Sequence, residues 1–203
     1  MDESSSSFNN TDNSLLSRET EANSSANTSF ENQCQISESL KNQIISAIIA
    51  NLKEIIEENR QSCGEKYIHR DMFYLQVIPK ISLDDYIKRL VKYTKMNIST
   101  LILSIIYIDK FCEKFKYVLS YNNIYRLLLV FTLISIKFNE DSTVSTKTYC
   151  KIAGVSINDL KFLEYQMCIA LDFSFNVKDD YFQQYFAYFS KFSSKEKKSS
   201  HDS

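Results

Sequence analysis

Residues Asn122–Phe138 read NNIYRLLLVFTLISIKF, and no position between Arg126 and Lys137 carries a charge. That run is about half as long as a membrane span requires. A helix this apolar on most of its sides belongs inside a helical core. The stretch before it, Asn97–Phe115 (NISTLILSIIYIDKFCEKF), has the same character and is expected to lie beside it. Its β-branched residues lower helix propensity by a few tenths of a kcal/mol each, so burial must supply its stability.

Outward from this pair the pattern stays helical. Leu83, Tyr86, Ile87, Leu90 and Val91 mark an amphipathic helix over 82–94, after a connector closed by Pro79. A short helix is expected over 145–153, stopped by Gly154, and Ser156 opens another with Leu160, Leu163, Met167, Ala170 and Leu171 on one face. A last helix covers about 178–189. On the N-terminal side, Leu40, Ile44, Ile45, Ile48, Ile49, Leu52, Ile55 and Ile56 recur at spacings of three and four, with Ser37 as the N-cap candidate. The expected organisation is a disordered Ser/Asn-rich leader (1–37), an N-terminal helix (38–64), a helical domain (72–175), a C-terminal helix (176–190) and a charged tail (191–203).

Composition supports the all-α class. The 203 residues include two glycines and one proline. A sandwich or barrel needs more turns than these allow, and neither a dinucleotide-binding nor a P-loop motif can be written with Gly64 and Gly154. The five cysteines are widely spaced with no C-x-x-C, which supports neither a disulfide framework nor a zinc site. With no secretory signal visible, an intracellular chain is expected, nuclear or cytoplasmic, with no membrane partner. Residues 72–190 carry 14 basic and 11 acidic groups, too mild and dispersed a balance for a nucleic-acid binder.

Catalytic chemistry finds little to stand on. His69 and His201 are the two histidines, and neither has a nucleophile and orienting acid nearby in sequence. Asp84–Asp85 and Asp179–Asp180 stand at helix starts, where negative charge complements the helix dipole. No catalytic residue, cofactor or metal is expected. Asp109 is different, because a carboxylate inside an apolar helix needs a partner. A structural ion pair is expected, with Lys80 and Arg89 as the two candidates. Lys137 and Glu164 are likewise flanked by core-type residues. Periodicity alone has them snorkelling to solvent; the other reading lines a groove with them.

Four motifs occur in order: ISLDDYIKRLVKY, LILSIIYIDKF, NNIYRLLLVFTLISIKFNED and TYCKIAGVSINDLKFLEYQMCIALDF. Together they resemble the cyclin box of the P/U-type cyclins, the group that includes the phosphate-pathway cyclin, over about residues 72–190. The resemblance implies a single five-helix box with an extra helix at each end. It also implies a regulatory subunit that forms a heterodimer with a cyclin-dependent protein kinase, of the phosphate-pathway type, and presses on the kinase αC helix. The lysine and glutamate that hold kinase backbone groups in the family correspond to Lys137 and Glu164. Ile134, Phe138 and Phe173 are the flanking hydrophobes, with Glu140 at the rim. Departures include Tyr125 in place of a histidine, Asn139-Glu140-Asp141 in place of paired aspartates, and Gly154 alone where a double glycine is common. Pro79–Leu83 also lacks the arginine that pairs the corresponding aspartate in cell-cycle cyclins. The alternative is a cyclin-fold transcription adaptor that binds nucleic acid or another protein without a kinase, though such adaptors carry two boxes and this chain has room for one.

Overall fold

A computed structural model describes residues 36–63, 71–141 and 144–199, with side chains followed as far as residue 191. The chain divides into two units, Met1–Glu38 and Ser39–Ser203. Most of the Ser/Asn-rich leader, His69 and His201 lie outside the described residues. So does the end of the charged tail.

The described residues form seven helices: α1 (Glu38–Cys63), α2 (Leu83–Thr94), α3 (Ile98–Phe115), α4 (Ile124–Asn139), α5 (Thr146–Ala153), α6 (Ile157–Ala170) and α7 (Asp179–Ser199). The fold is all-α. Helix α4 is buried almost without interruption from Ile124 to Ile136 and packs against α2, α3 and α6. Around it, α5 packs on α2 and α6, and α7 on α3. An apolar helix with no polar face thus occupies the one place where every side is covered.

The helix ends follow local chemistry. Ser82, Ser145 and Ser156 each accept a hydrogen bond from the backbone N–H three residues on, capping α2, α5 and α6. In α2 and α6 the capping serine also donates to Asp85 and Asp159, both at 2.7 Å. Gly154 ends α5 at φ 72°, its N–H bonded to the Cys150 carbonyl at 2.8 Å. Helix α7 continues to Ser199, ten residues past the expected end. Its Lys/Glu-rich final stretch contains no Gly or Pro to stop it.

The connector between α1 and α2 is tied to the helices it crosses. Leu75 N–H donates to the Asn122 carbonyl at 2.7 Å, and the Asn122 amide returns a bond to the Leu75 carbonyl at 2.7 Å. Tyr125, the departure from the family's histidine, donates its hydroxyl to the Ile81 carbonyl at 2.9 Å and stacks edge-on against Tyr86. The arginine beside it, Arg126, donates to the Met72 carbonyl. On the other side, the Lys53–Asp84 ion pair at 2.5 Å joins α1 to the first turn of α2.

Candidate functional site

Helix α4 leaves the core at its C-terminal end. Ile136 is buried, whereas Lys137, Phe138 and Asn139 are exposed. A lysine in the last turn is favoured by the helix dipole. Helix α6 packs beside α4 through Leu160, Leu163 and Met167, which turns Glu164 toward the α4 end. The Lys137 ammonium donates to both oxygens of Glu164, at 2.6 and 2.8 Å. The lysine side chain is 44% exposed and the glutamate 19%. The two charges that periodicity alone leaves snorkelling separately are one ion pair.

Large apolar side chains are exposed at the α4 end, on α6 and in the turn after it. Phe138, Phe162, Tyr165, Ile169 and Phe173 are between 45% and 64% exposed. Phe138 and Phe173 were expected to flank a groove from the sequence, and the exposed apolar residues on α6 were not singled out. The available signal was the i, i+3, i+7 spacing of Phe162, Tyr165 and Ile169, a second apolar stripe on the side of α6 away from the core-facing one. Phe138 keeps one side against Phe175, with ring centroids 5.8 Å apart. Phe173 projects from a turn in which Asp172 and Phe173 both hold positive φ, 52° and 54°. Lys114 of α3 braces that turn, donating to the Ala170 carbonyl at 2.8 Å and to Asp172 at 2.5 Å.

Two expected positions, Ile134 and Asp109, need correction, and a third, Glu140, makes bonds the sequence did not show. Ile134 is 4% exposed and belongs to the core, because α4 is still covered on all sides at that turn. Glu140, expected at the rim, is engaged within the chain. Its carboxylate accepts from the Asn97 N–H (2.8 Å), the Asn97 amide (2.7 Å) and the Thr100 hydroxyl (2.5 Å). It caps the N-terminus of α3, where Asn97 makes no side-chain cap of its own. Asp109 is exposed and accepts from the Tyr185 hydroxyl of α7. Among the described residues no ion pair joins it to Lys80 or Arg89. The premise of burial fails because α3 is not covered at that position.

The site's groups suit binding. Beneath it, the Tyr149 hydroxyl donates to the Leu129 carbonyl at 2.8 Å, and burial drives its pKa well above the usual phenol range. Burial likewise pushes the Cys168 thiol up, with the Glu164 charge adding to the effect. Neither group is primed as a nucleophile or base. Among the described residues no cluster of His, Cys, Asp and Glu could hold a metal ion, and no helix is long and apolar enough to cross a membrane.

Five helices, α2 to α6, with a further helix at either end and the Lys137–Glu164 pair at the surface, make an all-α box domain among the described residues. Its family is settled by comparison: the cyclin family model matches residues 4–175, and the chain belongs to the cyclin family, among its P/U-type members. It is 26% identical over 155 residues to Cyclin-U4-1 of Arabidopsis thaliana, covering 73% of this chain and 77% of that one. It is 29% identical over 115 residues to Cyclin-U2-1 of the same plant, covering 56% and 52% of the two chains. With PHO85 cyclin-7 of Saccharomyces cerevisiae (strain ATCC 204508 / S288c) it shares 30% over 125 residues, covering 56% and 44%. Against the last two relatives the chain spans about half of their length or less.

Proposed function

We propose that this chain is the regulatory cyclin subunit of a cyclin-dependent protein kinase of the phosphate-pathway type, and that it activates the kinase by packing on its αC helix. The observation that carries this reading is the Lys137–Glu164 pair joining the exposed end of α4, with its exposed Phe138, to α6. The resemblance to a protein named as a PHO85 cyclin agrees with it.

A lysine offers three donors to carbonyls, and a carboxylate offers acceptors to N–H groups. In the free chain each charge holds the other in place. On docking, both exchange part of that bond for backbone groups of the partner, while exposed apolar side chains such as Phe138 supply most of the contact area. Ile134 supports the surface from below, and Glu140 steadies the α3–α4 corner beside it. Activation is a population shift: the kinase αC glutamate must reach the β3 lysine before phosphoryl transfer is efficient. A subunit that binds only the αC-in arrangement favours it by its differential affinity, and moving 1:99 to 99:1 takes about 5.5 kcal/mol.

The test is kinase capture and activation by the wild-type chain and by the Lys137→Ala/Glu164→Ala double variant. Loss of either charge from a fully desolvated pair is expected to weaken binding by about 2–5 kcal/mol. Melting should barely change, since a solvent-accessible ion pair contributes about 0–1 kcal/mol to folding. A variant that captures and activates the kinase as well as wild type overturns the assignment.

A further inference from the structure

Asp109 stands at the rim of a cavity of about 300 Å³ between α1, α3 and α7. Leu52, Ile105, Ile108 and Phe189, all buried, form its apolar lining. Tyr185 and Tyr188 of α7 line it as well, their rings 6.3 and 5.2 Å from that of Phe189. Asp109 accepts from the neutral Tyr185 hydroxyl, and no described cation pairs with its carboxylate. The lysines of neighbouring turns are committed elsewhere: Lys53 to Asp84, Lys110 to the Asn176 carbonyl and Lys114 to Asp172.

We propose that this cavity receives a lysine or arginine side chain from a partner polypeptide, its head at Asp109 and its stem along the apolar lining. A carboxylate that meets one neutral donor keeps lone pairs for a charge-assisted bond. Tyrosine faces attract a cation, and the aliphatic stem of a basic side chain suits an apolar wall. The volume lies at the small end of ligand sites and suits one long side chain. A free amine would lose its translational freedom for a single charged contact, whereas a side chain shares that loss with the rest of its chain. None of these residues belongs to the Lys137–Glu164 surface, so the two proposals fail separately.

The test is a titration of the full isotope-labelled chain, followed by NMR, with a blocked pentapeptide carrying a central lysine between leucines. Controls are the same peptide with glutamine at the centre and n-hexylammonium. Shifts are expected to concentrate at Asp109, Tyr185 and Tyr188, with the lysine peptide binding at least about fivefold more tightly than the glutamine peptide. Asp109→Asn keeps an acceptor for Tyr185, so it should melt as wild type does while losing that fivefold preference. Equal binding of the two peptides, shifts that map elsewhere, or no binding at all would overturn the cation site. Tighter binding of n-hexylammonium than of the lysine peptide would overturn the polypeptide assignment.

Discussion

Lys114 reaches from α3 to a turn that local preference alone would not hold. Asp172 and Phe173 both sit at positive φ, a region that non-glycine residues enter at a cost. The turn persists because Phe173 N–H bonds the Cys168 carbonyl at 2.8 Å and Lys114 clamps Ala170 and Asp172. Lys114→Met should therefore loosen the presentation of Phe173 without touching the proposed contact surface. An exposed pair of this kind is worth about 0.2–1 kcal/mol, so kinase affinity should fall by no more than about fivefold, read by calorimetry. Asp84 supports a pH prediction. The Lys53 ammonium beside it holds its carboxyl below the usual range, against the opposing effect of burial. A depressed folded pKa gives stability that is present above the unfolded carboxylate value of about 3.9 and lost as pH falls through the folded value. Asp84→Asn is expected to be less stable than wild type at pH 7. The gap should close as denaturant midpoints are measured from about pH 4 downward.

At the level of elements, the capping serines and the glycine after α5 decide where helices begin and end. Gly154 shows which property matters. A Cβ built there meets nothing within 4 Å, so the requirement is its φ of 72° and not close approach. Gly154→Ala should cost about 1 kcal/mol in melting experiments, and Gly154→Asn less, because asparagine tolerates the left-handed region. These ends were legible because serine caps and C-terminal glycines act through bonds only three or four residues long. The helices themselves were legible from period alone, to within a residue or two for α2 to α6. What was not legible depends on distant chain. Nothing local says that Glu140 reaches back to Asn97, or that Lys137 meets Glu164 across two helices. For α4 the lack of a polar face also concealed which turn leaves the core. Ile134 and Phe138 look equivalent in sequence and differ completely in exposure.

Across the helical unit Ser39–Ser203, stability and the proposed docking are carried by different parts of the same helix. The middle of α4 supplies Leu127, Leu128, Leu129, Val130 and Phe131, all essentially inaccessible, while its last turn supplies Lys137 and Phe138 to solvent. Truncating the middle removes buried methyl groups and leaves a cavity that neighbours fill only in part. Leu128→Ala is expected to lower folding stability by about 2–5 kcal/mol. Because residue 128 is more than two turns from Lys137, molecules that remain folded should keep the wild-type surface. Kinase affinity measured well below the melting temperature should thus change little for Leu128→Ala, whereas Lys137→Ala/Glu164→Ala should lose affinity at nearly unchanged melting. The opposite pattern would mean that the exposed end of α4 is a structural brace and that Phe138 serves something other than a kinase helix.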